Sequence, residues 1–381
     1  MSLENDLAEY LASLEKDNRF RKLQTLTGGN TLWIEENGRK YLNVSSNNYQ
    51  NLAESKFLLD RARVASKLYG TGASASRLIT GSNDLTFALE EKLNNFKGKS
   101  ASLVYNSGYT ANLGVISALN FNQPIFIVDK WVHASIYDGL TLAGAEFQRF
   151  SHNDTTHLEK ILEQIPPERT KWIIVDSVYS MDGDCAPLGA LIRIKNMFSN
   201  TYLYIDEAHA CGVFGDTSRG LSEGAEGEID LVMGTFSKAL GSFGAYVCAN
   251  QAIKHLLINN SRAFIYTTAL PPSILATNLA ALEWIEMNPS CGRELLQKSE
   301  KVHEMLSDLG FHLGTTASQI LPVLVGENEK AVALAQFLKH EGIFAFPIRY
   351  PTVPKKTARV RLTITRKMKQ KELNLLFRVF K

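Results

Sequence analysis

The sequence is poor in cysteine. Its four residues, Cys185, Cys211, Cys248 and Cys291, are scattered over 381 positions with no C-x-x-C pair. That spacing argues against a thiolate zinc site, an iron–sulfur cluster and a disulfide framework, and a reducing, cytoplasmic setting is expected. An excess of charge of one sign is also lacking: Lys and Arg number 41 against 39 Asp and Glu, a formal +2, and no run of five or six like charges occurs. Neither a nucleic-acid nor a membrane-surface partner is expected. No stretch approaches 18 uninterrupted apolar residues, and the first residues carry Glu4 and Asp6 where a leader would be basic and then apolar. A membrane span or cleaved signal is therefore not expected. Internal repeats and low-complexity segments are missing too. What remains is an ordinary globular balance, 45% hydrophobic and 21% charged, on a chain long enough for two or three domains.

Apolar residues at 3, 7, 11 and 14 follow a helical period, which predicts an amphipathic arm over 3–20. Alternation over 31–44 around Asn37-Gly38 predicts a β-hairpin leading into Ser45-Ser46-Asn47-Asn48-Tyr49. From about 60 to 250 the texture changes to short apolar runs at 101–105, 125–128, 172–175, 202–205, 231–233 and 245–248, separated by helical stretches. Such alternation implies βαβ units and a mostly parallel sheet covered on both faces, with ligands at the carboxyl ends of the strands. After Pro271-Pro272, the one linker candidate, helical stretches at 273–287, 295–309 and 329–340 mix with β-like runs at 320–325, 343–346 and 360–364. The expected divisions are an N-terminal arm and ribbon over 1–50, a large α/β domain over 51–270 and a small α+β domain over 271–381.

Polar residues stand where the strands of the large domain end: Asn106-Ser107-Gly108, Asp129, Asp176, Asp206, and Thr235 to Lys238. Asp206-Glu207-Ala208-His209 spells a helicase box, but the P-loop that must accompany it fails. Gly98-Lys99-Ser100 supplies its end, position 93 is leucine, and a strand follows where a helix is required. Lys238 sits among hydroxyl and small residues in Thr235-Phe236-Ser237-Lys238-Ala239-Leu240-Gly241. Desolvation there would make its amine a nucleophile towards carbonyls; a helix-start lysine reaching solvent is the alternative. Ser107 to Asn112 opens an apolar-periodic helix whose N-terminus suits a phosphate, with simple capping by Ser107 as the alternative. His133 follows the Asp129 strand end. A phosphate cradle, a carboxylate, two histidines, hydroxyls and one desolvated lysine on one sheet edge fit pyridoxal 5'-phosphate, which needs an amine for its aldehyde and a carboxylate for its ring nitrogen.

With these residues in view, the chain resembles the α-oxoamine synthases over nearly its whole length. These are fold-type I pyridoxal-phosphate enzymes that condense an amino acid with an acyl thioester and lose carbon dioxide. The stretches that carry the resemblance are Ser45 to Tyr49, Tyr179-Ser180-Met181-Asp182-Gly183-Asp184, Ile265-Tyr266-Thr267-Thr268-Ala269-Leu270-Pro271-Pro272, and Ile348-Arg349-Tyr350-Pro351-Thr352-Val353-Pro354 running into Thr357 to Thr363. The last two resemble the branch that joins L-alanine to a pimeloyl thioester on the way to biotin. Glycine-using and long-chain condensing relatives, and a catalytically silent partner subunit, stay open as alternatives.

The resemblance implies a mostly parallel seven-stranded large domain with a smaller α+β domain. It makes Lys238 the lysine that binds the cofactor's aldehyde, Asp206 the partner of the ring nitrogen, His209 a neighbour of the phenolic oxygen and His133 a ring stacked on the pyridine. Gly108, Tyr109, Ser180, Thr235 and Ser237 would complete the cofactor site, with Thr267 and Thr268 supplied by the second chain of a homodimer. Arg361, Arg21, Asn47 and Thr352 would contact substrate, and the acyl group would arrive on coenzyme A or an acyl carrier protein. Two departures stand out. The family's Asn-Asp-Tyr-Leu-Gly-Leu is here Asn47-Asn48-Tyr49-Gln50-Asn51-Leu52, and in Gly70-Thr71-Gly72-Ala73-Ser74-Ala75-Ser76-Arg77 an alanine, Ala75, replaces a usual glycine. The second bears on acyl-chain specificity.

Overall fold

A computed structural model describes residues 2–28 and 31–381. The amphipathic arm forms a helix over Leu3–Lys16 and stops short of residue 20, where Asn18 takes a left-handed φ of 53°. Strands β1 (Trp33–Glu36) and β2 (Arg39–Asn43) make the expected antiparallel hairpin. Asn37 and Gly38 both have positive φ, 51° and 78°, as a two-residue turn between twisted strands requires.

Residues 47–180 and 184–296 form the larger of two compact units. Its sheet has seven strands: β3 (Ala101–Tyr105), β4 (Ile125–Asp129), β5 (Glu146–Phe150), β6 (Lys171–Asp176), β7 (Thr201–Asp206), β8 (Leu231–Thr235) and β9 (Ala245–Ala249). Their order is β3-β9-β8-β7-β6-β4-β5. Neighbours from β8 to β5 are parallel, and β9 runs antiparallel to both β8 and β3. Alternate side chains feed opposite cores. Phe126, Val128, Ile174, Tyr204 and Met233 pack with helices Gly108–Leu119 and Ala134–Leu142, whereas Ile125, Ile127, Ile173, Val175 and Ile205 pack with Thr155–Glu163 and Leu188–Met197. Burial of both faces is why these strands read as continuous apolar runs.

Strand β5 has no such run. It is an edge strand with only Phe150 buried, so Glu146, Gln148 and Arg149 stay polar and hide the β pattern. Gly98, the end of the apparent P-loop, is the left-handed C-cap of helix Asp84–Lys97.

Pro271-Pro272 links nothing: Pro271 is the N-cap and Pro272 the first residue of helix Pro272–Met287, positions that need no amide hydrogen. Leu275, Leu282 and Ile285 of that helix lie in a core with Leu89, Phe96, Phe236 and Tyr246 of the larger unit. The expected small domain over 271–381 therefore differs from the compact division, which falls at Leu296/Gln297.

The smaller unit collects residues 2–46, 181–183 and 297–381. In it β10 (Ile320–Gly326), β11 (Ile343–Phe344), β12 (Phe346–Ile348) and β13 (Ala358–Thr363) form two three-stranded sheets, β1-β2-β11 and β10-β13-β12. Helices Asn328–His340 and Gln370–Phe380 complete it. Among the described residues no helix is long and apolar enough to cross a membrane.

Candidate active site

At the carboxyl ends of the strands of the larger unit a cavity of about 230 Å³ is lined by residues on or after five of them. Gly108 and Tyr109 after β3, Asp176 on β6, Asp206 and His209 on and after β7, and Thr235, Ser237 and Lys238 after β8 all face it, with His133. Eight of the residues expected at a cofactor site thus meet here.

Each is held by local chemistry. Ser107 caps helix Gly108–Leu119: its Oγ accepts the Thr110 N–H at 3.2 Å, and its own N–H donates to Thr110 Oγ1 at 3.2 Å. The first N–H groups of that helix have no acceptor within it and stand at the cavity with the positive end of the helix dipole. Thr235 Oγ1 donates to Gly244 O at 2.8 Å and accepts the Ser237 N–H at 3.1 Å. With Ser242 N–H on Phe236 O, this closes a loop that carries Lys238, so Lys238 lies in a turn and starts no helix. Gly241 (φ 63°) must be glycine there, because a Cβ would lie 2.3 Å from Ala53 N.

Lys238 Nζ is 2.7 Å from His209 Nε2. His209 Nδ1 is in turn 2.6 Å from the Tyr49 hydroxyl, which donates to Asn47 Oδ1 at 3.1 Å. Asn47 thus backs His209 and lines no part of the cavity. The departure at Asn48-Tyr49-Gln50-Asn51 leaves a well-bonded turn: Gln50 Nε2 donates to Gly212 O at 2.7 Å and Asn51 adopts a left-handed φ of 56°. Ala75 accepts the Ala269 N–H through its carbonyl and lies off the cavity.

Asp206 accepts Asn112 Nδ2 on Oδ2 at 3.0 Å and the Ala208 N–H on Oδ1 at 2.9 Å. Asp176, opposite it in the β6–β7 register, accepts the His133 N–H at 3.3 Å. Burial first, and then the charge of Asp206, push Asp176 well above the usual carboxylate range. Burial likewise lowers His133, and Lys238 adds to this while Asp206 opposes it.

Asn112, Asp176 and Met233 also line the cavity, and Asn112 was not foreseen. Its one signal is a fully buried amide on the apolar face of a helix, which must find partners. Other expected residues lie elsewhere. Ser180 is outside the cavity, and Thr267 and Thr268 are held near the end of β3 by Asn106 Nδ2, at 3.1 Å from Thr267 Oγ1 and 2.9 Å from Thr268 O. In the smaller unit, Arg21 Nη2 donates to Thr352 Oγ1 at 3.0 Å, and buried Arg361 donates to Thr363 Oγ1 at 3.1 Å.

The donor set fits a phosphorylated pyridine aldehyde. An amine, a bonded carboxylate, an imidazole and a helix N-terminus share one cavity, and each answers a different group of that molecule.

Comparison with known proteins agrees. The family model described as aminotransferase class I and II matches residues 39–380. A protein of Geobacillus kaustophilus (strain HTA426), provisionally named 8-amino-7-oxononanoate synthase, is 44% identical over 342 residues, 89% of this chain and 87% of the relative. A serine palmitoyltransferase variant from S. paucimobilis, solved with bound PLP and myriocin, superimposes with a TM-score of 0.93 at 29% identity, covering 100% of this chain and 98% of that one. The 8-amino-7-oxononanoate synthase of Francisella tularensis superimposes at 0.77 with 26% identity, over 89% and 96% of the two chains.

Proposed function

The chain belongs to the class I and II aminotransferase family as a pyridoxal 5'-phosphate-dependent acyltransferase, and on that premise we propose that it condenses L-alanine with a pimeloyl thioester. This is the reaction of an 8-amino-7-oxononanoate synthase. A bond forms between the alanine Cα and the acyl carbonyl carbon, the thiol leaves, and the alanine carboxyl departs as carbon dioxide. The product is the amino ketone used for biotin.

One observation carries the reading: Lys238 Nζ shares a single cavity with the Asp206 carboxylate, His133 and the first turn of helix Gly108–Leu119. Bound there, the cofactor supplies an electron sink for the charge left at the amino-acid Cα. Lys238 would hold its aldehyde carbon, and the Lys238 amine would carry the amino-acid Cα proton; His209 at 2.7 Å positions that amine. Asp206, oriented by Asn112 and the Ala208 N–H, would keep the pyridine nitrogen protonated. Gly108 and Tyr109 at the helix start, with Ser237, would receive the phosphate, Thr235 would contribute its hydroxyl oxygen to the cofactor site, and His133 would stack on the ring. Ser180 is assigned to the cofactor by the same resemblance. Arg361 suits the amino-acid carboxylate, for which a planar two-pronged donor is better than an ammonium. The bonded pair Arg21 and Thr352, with Asn47, is assigned to substrate.

The reading extends to a homodimer in which Thr267 and Thr268 serve the partner's cofactor. It is supported by the apolar residues left exposed around the Ser76–Thr268 bridge, Leu78, Ile79 and Tyr266.

A second reading is favoured by the higher TM-score of the serine palmitoyltransferases: condensation of serine with a long-chain donor. The loaded enzyme is offered L-alanine, glycine, L-serine and 2-aminobutyrate, each with pimeloyl-CoA, pimeloyl acyl carrier protein or palmitoyl-CoA. Release of thiol and carbon dioxide is followed. Alanine with a pimeloyl donor is expected to exceed the other pairs in kcat/KM by about tenfold or more, and Lys238→Ala to lose all of them. A preference for serine with palmitoyl-CoA would establish the second reading instead.

A further inference from the structure

His133 does more than line the cavity: it is the N-cap of helix Ala134–Leu142, and its ring Nδ1 stands 3.3 Å from the backbone N–H of Ser135. A backbone N–H can only donate, so Nδ1 is an acceptor. The same Nδ1 is 2.7 Å from Ser135 Oγ. That hydroxyl has one proton, and it already receives Asn112 Nδ2–H at 2.8 Å, so its own proton is directed to Nδ1.

The direction of the Asn112 amide is set by two further neighbours. Nδ2 lies 3.0 Å from Asp206 Oδ2, and Oδ1 takes the hydroxyl of buried Tyr204. Turning the amide over would press its carbonyl oxygen against a carboxylate. Every proton in the chain from Tyr204 through Asn112 and Ser135 to His133 therefore has one place.

We propose that Asn112 and Ser135 are positioning residues that fix His133 as the neutral imidazole with its proton on Nε2, and that they tie this ring to the carboxylate of Asp206. The cavity then meets one N–H donor from His133 and no imidazolium. What that donor meets rests on the function proposed above, whereas the tautomer rests on the hydrogen bonds alone.

The charges around the ring agree. Asp206 and Asp138 favour an imidazolium, Lys238 disfavours it, and Asp176 is occupied by the His133 backbone N–H. The Tyr109 ring meets His133 edge-on at 6.5 Å between centroids, and the Tyr109 hydroxyl is turned to Asp138. Burial outweighs the two carboxylates, and an imidazolium at a helix N-terminus would also oppose the helix dipole.

The test is nitrogen NMR of the full chain labelled in its histidines, in the cofactor-free and loaded forms, with the His133 signals identified by their loss in His133→Gln. At neutral pH, Nδ1 should resonate as a bare acceptor and Nε2 as a protonated nitrogen, and the ring should stay neutral to a lower pH than an ordinary histidine, because burial disfavours its charge. In Ser135→Ala, which removes the hydroxyl donor to Nδ1, and in Asn112→Leu, which frees that hydroxyl to turn its proton away, the titration should rise by about one pH unit. Ser135→Thr, which keeps the hydroxyl, should restore it. The acid limb of kcat/KM in the loaded Ser135→Ala enzyme should move the same way. A wild-type ring protonated on Nδ1, or a Ser135→Ala ring that titrates as wild type, overturns the proposal. Because the nitrogen signals need no substrate, that failure would leave the substrate assignment standing, and an unexpected substrate would leave the tautomer standing.

Discussion

His152 has the opposite fate to His133, although both follow strand ends. Its Nδ1 is 3.0 Å from Asp129 Oδ1, its Nε2 is 2.6 Å from Asp184 Oδ2, and its ring stacks on Trp131 at 3.9 Å between centroids. Burial works against a charge here, but the hydrogen bonds to the two carboxylates prevail and push His152 up to about 9. A histidine raised in the folded state contributes stability that is complete below its unfolded value of about 6.5 and is lost as pH rises through about 9. The loss expected between those limits is about 2 kcal/mol, reduced from the full shift because the ring is partly exposed. Unfolding by urea, followed by far-ultraviolet circular dichroism at pH 6 and pH 10, should show it in wild type and not in His152→Gln. Equal pH dependence in both would refute the charged state. Sequence reading singled out His133 and His209 and passed over His152, and the reason is physical. Asp206 and Thr235 are legible because each is the polar residue at which a buried apolar run ends, and Lys238 because it stands among small and hydroxyl residues in the loop that follows. Asn112, Ser135 and His152 act through partners that only folding supplies; Asn112 and Asp206 are 94 positions apart.

The turn after β7 shows the same principle at the scale of an element. Asp206 and His209 serve the cavity, and between them the Glu207 carboxylate is fully buried, 2.5 Å from Lys97 Nζ and 2.7 Å from the Ser222 N–H. Lys97 also donates to Arg219 O, so one pair ties the end of helix Asp84–Lys97, the turn and the 219–222 loop together. Lys97→Met strands a buried carboxylate and should cost about 3–5 kcal/mol, as should Glu207→Leu, which strands the ammonium. The double variant should be more stable than either single one, because no uncompensated charge remains. Denaturation of the four proteins measures this, and simple additivity would show that the pair is not coupled. The letters Asp206-Glu207-Ala208-His209 alone suggested a nucleotide-hydrolysing box, and only the missing P-loop spoke against it. Elements were readable where environment imposes a period: both-face burial marked β4, β6 and β7, and Asn37-Gly38 marked the hairpin. Edge strand β5, with one buried side chain, imposed none, and a proline pair that starts a helix looked like a break.

At the scale of the whole molecule, periodicity identifies elements but does not say which core they join. The helix over Pro272–Met287 was expected to open a C-terminal domain, yet Leu275, Leu282 and Ile285 belong to the core of the larger unit. The smaller unit instead needs the beginning of the chain. Strand β11 pairs in parallel with β2, Val44 N–H donates to Phe344 O at 3.1 Å, and Thr363 N–H donates to Val44 O at 2.8 Å. A chain lacking residues 1–46 would leave these backbone groups without partners, and its C-terminal segments would lose the strand on which they assemble. Hydrogen exchange of that truncated chain should show lost protection in peptides spanning 343–364. Peptides of β6, β7 and β8, whose hydrogen bonds lie wholly within residues 47–296, should keep theirs. Loss of protection throughout would mean that the larger unit cannot fold without the smaller. Unchanged protection at 343–364 would mean that β2 is dispensable to its own sheet, so the experiment asks directly whether the two ends of the chain make one cooperative unit.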